Sequence, residues 1–244
     1  MYQIKCDTHT HTIASAHAYC TITEMASAAA KKGLTLIATT DHGPALPDST
    51  HIMHFQNLKI LPRMIEGVFV LRGVEANLID FEGGIDMEPA LLKKLDWVIA
   101  SAHDLCLKPG TVEDHTRMYL GLAENELVDV VGHCGDERFR FDYERAIPVL
   151  VESGKCIEIN NHSFELRPGS DKNCREIIRI CKEHRARIVV NTDAHFWSEL
   201  GVFDHVYPLL EEVSYPEELI VNRSRESVLD FIKYKKGVDL SRFV

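Results

Sequence analysis

Histidine and acidic residues recur at the ends of apolar, β-branched runs along this chain. The first such place is the stretch DTHTHT at residues 7–12, in which one residue separates His9 from His11. Residues at positions i and i+2 of a strand point to the same face, so both imidazoles can reach one cation. The spacing therefore predicts a metal site that begins with His9 and His11.

The same pattern follows six later apolar runs. Their ends carry, in chain order, Asp41 and His42 (TTDHG), Glu75 (GVEAN), His103 (SAHD), His133 (VGHCG), Asn160 and Asn161 (EINN), and Asp193 and His195 (NTDAH). A buried cluster of histidines and carboxylates is costly unless a cation compensates it. One catalytic Zn²⁺ takes about four ligands, so this set predicts two or three ions that share a bridging carboxylate. Ligation rich in imidazole favours Zn²⁺, with Mn²⁺ and Fe²⁺ as alternatives.

A scaffold must bring these run ends together. Short β-branched runs alternate with helical patterns, which predicts βα units around a parallel sheet. Parallel barrels place their chemistry at the C-terminal ends of their strands, as this pattern requires. The chain is therefore expected to form one α/β domain over residues 1–244, a distorted (β/α)7 TIM-like barrel. Its predicted strands are Ile4–Asp7, Leu36–Thr40, Phe69–Glu75, Leu95–Ala102, Leu127–Gly132, Cys156–Asn160 and Arg187–Thr192.

Capping residues mark the helices between these strands. Thr21 and Glu24 form a capping box for a helix that runs to about Lys32. Residues 48–62 are expected to hold a loop and a short helix. The remaining predicted helices run from Val112 to Glu124 after a cap at Thr111, from Tyr143 to Glu152, from a cap at Asp171 to His184, and from a cap at Ser224 to Gly237.

Composition narrows the class of protein. The chain has 244 residues and a net charge of -10, which argues against binding to nucleic acid. Its seven scattered cysteines predict reduced thiols. No apolar run approaches the roughly 20 residues that span a bilayer, so no membrane association and a cytoplasmic location are expected. Apolar patches in the loops could support a homo-oligomer.

Taken together, these motifs resemble the PHP (polymerase and histidinol phosphatase) family. The segments SAHAYCT, LRGVEAN, EINNHSF and KNCREI are similar to the YcdX-like PHP phosphatases, and the resemblance covers nearly the whole chain. It implies a distorted seven-stranded barrel, a trinuclear metal centre that is usually zinc, and phosphoesterase activity. The expected substrate is a small phosphorylated molecule.

The resemblance also implies a set of ligands for each ion. The first ion would take His9, His11, Glu75 and Asp193, and the second would take His103 and His133 with Glu75 as the bridge. The third ion would take His17, His42 and His195, and His17 enters the ligand set only through the resemblance. Cys134 stands where relatives commonly carry proline, and it is expected to pack as a small apolar residue, with a role as an extra soft metal ligand as the alternative.

The implied reaction is hydrolysis of a phosphomonoester by a water that the metals activate. Asp41, His42 and Asp193 are the catalytic candidates. Asp41 would either protonate the leaving oxygen or orient a ligand histidine, and Asp7 would orient His9. Candidates for contact with the substrate are Arg63, Arg138, Arg167, Asn160, Asn161, His51 and His54.

Two other functions remain open at this stage. The first is an amidohydrolase, although members of that class often carry a modified lysine at the end of strand four, where this chain has His103. The second is a metal-binding regulatory module without turnover.

Overall fold

Seven parallel strands follow one another around a nearly closed barrel in this computed structural model, which describes residues 2–243. The neighbours in the sheet are β1 (Cys6–Thr10), β2 (Leu36–Thr39), β4 (Val68–Asn77), β5 (Trp97–Ser101), β6 (Val130–Val131), β7 (Cys156–Asn160) and β8 (Ile188–Asn191). A short strand that was not predicted, β3 (Met64–Ile65), pairs antiparallel with β4. The predicted seven-stranded α/β barrel is confirmed.

Helices connect the strands and cover the outside of the barrel. The α-helices are α1 (Ile22–Lys31), α2 (Met53–Asn57), α3 (Pro89–Leu92), α4 (Val112–Ala123), α5 (Tyr143–Glu152), α6 (Ser163–Leu166), α7 (Ser170–Glu183), α8 (Val206–Val213) and α9 (Arg225–Lys236). Short 3-10 turns occupy Leu58–Ile60, Glu137–Phe139, Glu217–Leu219, Val221–Arg223 and Ser241–Phe243. Within the described residues, none of the helices is long and apolar enough to cross a membrane.

The capping predictions are confirmed at three of four helices. Thr21 and Thr111 each form a capping box, and Ser224 caps α9 by accepting a hydrogen bond from the Ser227 N–H. The predicted cap at Asp171 is wrong, because Gly169 precedes α7 with a φ of 73° and Asp171 lies in the first turn. There its charge faces the positive end of the helix dipole.

The first strand differs from its predicted bounds of Ile4–Asp7. It begins at Cys6 and continues to Thr10, so His9 lies inside the strand rather than after it. Asp7 pairs with Ile37 and Thr10 with Thr39, which leaves one extra residue in β1. This β-bulge re-aims the side chains that follow it, so that Cys6 and His9 both reach the interior of the barrel.

A polar side chain from the C-terminal region closes the gap between β8 and β1. Among the described residues these two strands form no ladder, and the one bridge nearby joins Thr10 of β1 to Ala194, three residues beyond β8. The buried Asn222 donates from Nδ2 to the Cys6 carbonyl at 2.9 Å and accepts the Val190 N–H at 2.9 Å. It therefore satisfies backbone groups that a regular eighth parallel strand would otherwise bind.

The barrel interior has an apolar lower layer and a polar upper layer. The N-terminal ends of the strands contribute apolar side chains, which pack on Val228, Leu229 and Phe231 of α9. Along β4, the inward positions pass from Phe69 through Leu71 and Gly73 to Glu75. A Cβ at Gly73 would lie 2.7 Å from the Trp97 carbonyl oxygen, so only glycine fits this close approach. The apolar layer thus supports Glu75 from below.

Candidate metal centre

Glu75 is the central carboxylate of the upper layer, and its side chain is completely buried. Five imidazoles surround its two oxygens. Oε1 lies 3.3 Å from His9 Nε2, 3.5 Å from His103 Nε2 and 2.9 Å from His133 Nε2, while Oε2 lies 3.5 Å from His11 Nε2 and 2.7 Å from His42 Nδ1. This arrangement suits a carboxylate that bridges cations.

The donor atoms of the predicted ligands form overlapping groups. Three groups have every donor within 4.8 Å of the others: His9, His11, Glu75 and Asp193; His42, Glu75 and His103; and His11, His42 and His195. The first group matches the set implied for the first ion. The second group contains His42 where the resemblance implies His133. The third group contains His11 where the resemblance implies His17.

His133 and His17 nevertheless lie beside the other predicted ligands of their ions. His133 Nε2 is 3.2 Å from His103 Nε2, and His17 Nε2 is 3.2 Å from His42 Nε2 and 2.9 Å from His195 Nε2. The structure therefore brings together all nine predicted ligands at the C-terminal end of the barrel.

Both the spacing and the unpartnered atoms of the centre fit bound cations. Ligands about 2.0–2.1 Å from a tetrahedral Zn²⁺ lie about 3.3 Å from one another, close to the separations seen here. Within residues 2–243, the buried atoms His9 Nε2, His42 Nδ1 and Glu75 Oε2 have no hydrogen-bond partner, since the close approach of His42 Nδ1 to Glu75 Oε2 is not aligned as a hydrogen bond. Such atoms are rare in folded proteins unless an ion or water satisfies them.

The buried Glu158 is a functional residue that was missed from the sequence. Its Oε1 accepts from His9 Nδ1 at 2.8 Å, and its Oε2 accepts the His133 N–H at 2.7 Å. It therefore orients His9, a role that was assigned to Asp7. Asp7 instead accepts hydrogen bonds from Thr192 and from the Gly201 N–H, so that prediction is wrong. The sequence did carry a signal for Glu158, because it is the one charged residue in the otherwise uncharged run CIEIN.

Other ligand histidines also have a partner on the nitrogen that faces away from the centre. His103 Nδ1 is 2.8 Å from Asn77 Oδ1, and His17 Nδ1 is 2.7 Å from Asp48 Oδ2. His195 Nδ1 donates to the backbone oxygen of Asp193 at 2.8 Å. Such partners fix the tautomer and the direction of a metal-binding imidazole.

The buried carboxylate of Asp41 belongs to a separate network behind His42. It accepts hydrogen bonds from the Thr12 N–H and hydroxyl, both at 2.8 Å, and from the Ser15 hydroxyl at 2.9 Å. Burial raises the pKa of Asp41, but the contacts with His54, His11 and the Thr12 N–H together outweigh burial, and the pKa falls to about 2. Asp41 is therefore ionised at neutral pH and has no proton to donate.

Charges within the centre shift the pKa values of its members in opposite directions. Burial lowers the pKa of His9, but three carboxylates hold it well above its usual value: Glu158, Asp193 and Glu75. Burial raises the pKa of Glu75, yet His9 and His42 hold it well below its usual range. Burial lowers the pKa of His103 to about 4 against the opposing effect of Glu75. Glu75 and His103 thus have the protonation states that bind cations, whereas His9 must first lose a proton.

Backbone strain accompanies two of the predicted ligands. His133 has a φ of 23° and Asp193 a φ of 57°, values that non-glycine residues seldom adopt. Strain of this kind persists only where surrounding contacts hold the residue in place. Here the Glu158 carboxylate binds the His133 N–H, and the Arg167 guanidinium binds Asp193 Oδ2 at 2.9 Å.

The three arginines proposed for phosphate contact have different surroundings. Arg167 reaches the centre through Asp193. Arg138 is half-exposed and pairs with Asp136 at 2.7 Å and Asp104 at 2.8 Å. The prediction for Arg63 is wrong, because Arg63 forms a two-pronged ion pair with Asp96, which precedes β5 at the opposite end of the barrel.

The remaining candidates for substrate contact are held by the protein itself. Asn160 Nδ2 donates to Glu158, and Asn161 Oδ1 accepts the His205 N–H at 3.0 Å. His51 is exposed and accepts the Met53 N–H. His54 Nε2 lies 3.4 Å from Asp41 and lines an open groove of about 840 Å³ outside β2.

Cys134 packs in the main apolar core and belongs to no group of candidate ligands among the described residues.

Comparison with known proteins gives consistent matches. A model of the PHP domain matches residues 7–168. A probable phosphatase from Acetivibrio thermocellus is 48% identical over 230 residues, which cover 94% of this chain and 95% of that protein. A second probable phosphatase, from Caldanaerobacter subterraneus subsp. tengcongensis, is 48% identical over 232 residues, which cover 94% of this chain and 91% of that protein.

A solved structure shows the same fold at low sequence identity. Histidinol phosphate phosphatase from Lactococcus lactis, complexed with zinc, L-histidinol and phosphate, superposes with a TM-score of 0.58 at 16% identity. The match covers 87% of this chain and 94% of that chain.

Proposed function

The chain belongs to the PHP domain family, and on that premise we propose that it hydrolyses phosphomonoesters at a centre of three metal ions. Zinc is the expected metal, because imidazoles dominate the ligand set. The ions would be held by His9, His11, Glu75 and Asp193; by Glu75, His103 and His133; and by His17, His42 and His195.

The unpartnered atoms around Glu75 carry this proposal. Glu75 Oε2, His9 Nε2 and His42 Nδ1 are buried, converge within the barrel mouth and make no hydrogen bonds with the part of the chain that the structure describes. Cations bound beside Glu75 would satisfy Glu75 Oε2 and His9 Nε2 together, whereas His42 would bind the third ion through Nε2, the nitrogen that faces His17. When bound, such ions supply an activated water and neutralise the charge that develops on the phosphoryl oxygens.

Arg167 is the side chain best placed to contact the phosphoryl group. Its guanidinium is mostly buried and lies 2.9 Å from Asp193 Oδ2, at the edge of the ligand cluster. Arginine can offer two parallel N–H donors to a phosphate, which favours one orientation of the substrate. Because Asp193 is also a proposed ligand, Arg167 would couple phosphate binding to the position of that carboxylate.

Asp41 is assigned the second of its two predicted roles, that of a positioning residue. Its carboxylate ties Thr12 and Ser15 together, and the Ser15 hydroxyl also accepts the His42 N–H at 3.1 Å. Asp41 would thus hold the first loop against the strand end that carries His42. No proton transfer is assigned to it.

Phosphoester hydrolysis is preferred over the two alternatives. His103 stands at the strand end where an amidohydrolase would often need a modified lysine, and it lies 3.5 Å from Glu75. Every predicted ligand is present in the cluster, which argues against a module that has lost its chemistry.

A substrate panel tests the proposal. The zinc-loaded protein is assayed on p-nitrophenyl phosphate, on the diester bis-p-nitrophenyl phosphate and on a cyclic amide, beside Glu75→Gln and the exposed control Glu152→Gln. We expect turnover of the monoester, at least a 100-fold loss in Glu75→Gln, and no change in Glu152→Gln. Cleavage of the amide alone would establish the amidohydrolase alternative, and no cleavage of any substrate would favour the regulatory module.

A further inference from the structure

The nine proposed ligands differ greatly in how far the protein shields them. The side chains of His9, His11 and Glu75 are fully buried, whereas that of His17 is 43% exposed. His9, Glu75 and their neighbours extend from strands of the rigid barrel. His17 comes from the loop between β1 and α1, so its position depends on whatever holds that loop.

The loop around His17 is held by contacts with two other loops. On one side, the Ala16 N–H donates to the Asp48 carbonyl oxygen at 3.2 Å. On the other side, the Tyr19 N–H donates to the His195 carbonyl oxygen at 3.0 Å. Three separate loops therefore meet at His17, Asp48 and His195.

The side chain of Asp48 acts directly on the His17 ring. Its Oδ2 lies 2.7 Å from His17 Nδ1, while the opposite nitrogen, Nε2, points to His42 and His195. An exposed pair of this kind contributes little to folding stability. Its clearest consequence is geometric, because it fixes which nitrogen carries the proton and where the other nitrogen points.

We propose that Asp48 is a positioning residue that makes His17 a ligand and thereby controls the third ion, which loads separately from the other two. This inference rests on the proposed three-ion centre. The buried first and second sites do not involve Asp48, so their affinity is independent of it. The third site is the one from which an ion exchanges most readily with solvent.

Zinc titration of the metal-free protein tests this inference. Wild type, Asp48→Ala and Asp48→Asn are titrated against a competing chelator, and bound zinc is counted by mass spectrometry after dialysis. The matched control is Glu165→Ala, which removes the carboxylate from an exposed pair with His205 at 3.2 Å, away from the ligands. Thermal melting of each metal-free variant checks that the fold is intact.

We expect three equivalents in wild type and in Glu165→Ala. In Asp48→Ala, the Kd of the weakest equivalent should rise by about 10- to 100-fold, with the two tighter equivalents unchanged. Asp48→Asn should fall between them, because its amide oxygen can still accept a hydrogen bond from His17.

Three other outcomes are distinguishable. If wild type and Asp48→Ala both bind three equivalents with equal affinity, the role of Asp48 is refuted and the three-ion centre stands. If wild type binds fewer than three, the three-ion centre fails and this inference fails with it. An equal loss from all three sites in Asp48→Ala would refute separate loading.

Discussion

Replacement of Glu158 by glutamine should weaken two of the three ions and leave the third unchanged. The Glu158 carboxylate accepts four hydrogen bonds, from His9 Nδ1, the His133 N–H, Asn160 Nδ2 and Asn191 Nδ2. Glutamine is isosteric but has only one acceptor oxygen, so its amide nitrogen must face two donors. One of the two ligand histidines then loses its partner, and both lose the adjacent negative charge.

The magnitude follows from the number of ligands that Glu158 supports. Loss of one orienting partner typically weakens metal binding by about 10- to 100-fold, or about 1.4–2.7 kcal/mol. His9 belongs to the proposed first ion and His133 to the second. We therefore expect one of the two tightest dissociation constants to rise by this factor, and the other to rise by less, because its ligand loses only the adjacent negative charge. The third ion has no ligand in contact with Glu158 and should bind as before.

The assay is a zinc titration of metal-free protein against a chelator of known affinity. Glu152→Gln, an exposed substitution at the end of α5, controls for the loss of one negative charge. Glu158→Gln and Asp48→Ala should give opposite patterns, because the first affects the tight sites and the second affects the weak site. Two tight constants within twofold of wild type in Glu158→Gln would refute the assigned role.

Three more predictions follow from individual contacts. Arg167→Ala, assayed at saturating zinc, should raise the KM for p-nitrophenyl phosphate by about tenfold or more, since one charge-assisted contact to phosphate is lost. An unchanged KM in steady-state kinetics would remove Arg167 from substrate binding. Arg63→Ala should leave kcat unchanged but lower the free energy of unfolding by about 3 kcal/mol, because Asp96 is left buried without the arginine. Urea denaturation measures this change, and normal stability with lost activity would contradict the prediction. The raised pKa of His9 means that the metal-free protein carries a proton there at neutral pH. Zinc binding must release this proton, so the zinc affinity should increase about tenfold per pH unit around pH 7. Calorimetry in buffers of different ionisation enthalpy counts the protons released, and a count of zero would be evidence against the raised pKa.

The barrel and the candidate ligands at its strand ends could be predicted because local pattern determines them, whereas His17 entered the set only through the family resemblance. In β4, the alternation of side chains along a strand places Phe69, Leu71 and Glu75 on one face, and the apolar residues of that face give way to the acidic Glu75. β5, β6 and β8 repeat this rule with a histidine or aspartate after their ends, and β7 repeats it with asparagine. Parallel pairing then brings the strand ends to one rim, so no knowledge of long-range contacts was needed.

Features that depend on distant residues were not predictable in this way. Asn222 closes the barrel from a position 216 residues beyond its partner Cys6. The pairing of Arg63 with Asp96 places that arginine far from the centre, although its sequence neighbours suggest a loop. The bulge in β1 is visible only from its register against β2.

Glu158 lies between these two cases. It is a charged residue in an apolar strand, two positions before Asn160 and two after Cys156, so its inward direction was available from the alternation. Its partners His9 and His133 come from other strands, and only the closed barrel brings them together.

The number of ions per chain tests the central claim most directly. Purified protein loaded with zinc and dialysed is analysed by mass spectrometry, and p-nitrophenyl phosphate hydrolysis is measured before chelation, after chelation and after zinc is restored. The account predicts three zinc ions per chain and hydrolysis that disappears and returns with them. One ion or none, with no turnover after addition of Zn²⁺ or Mn²⁺, would contradict it.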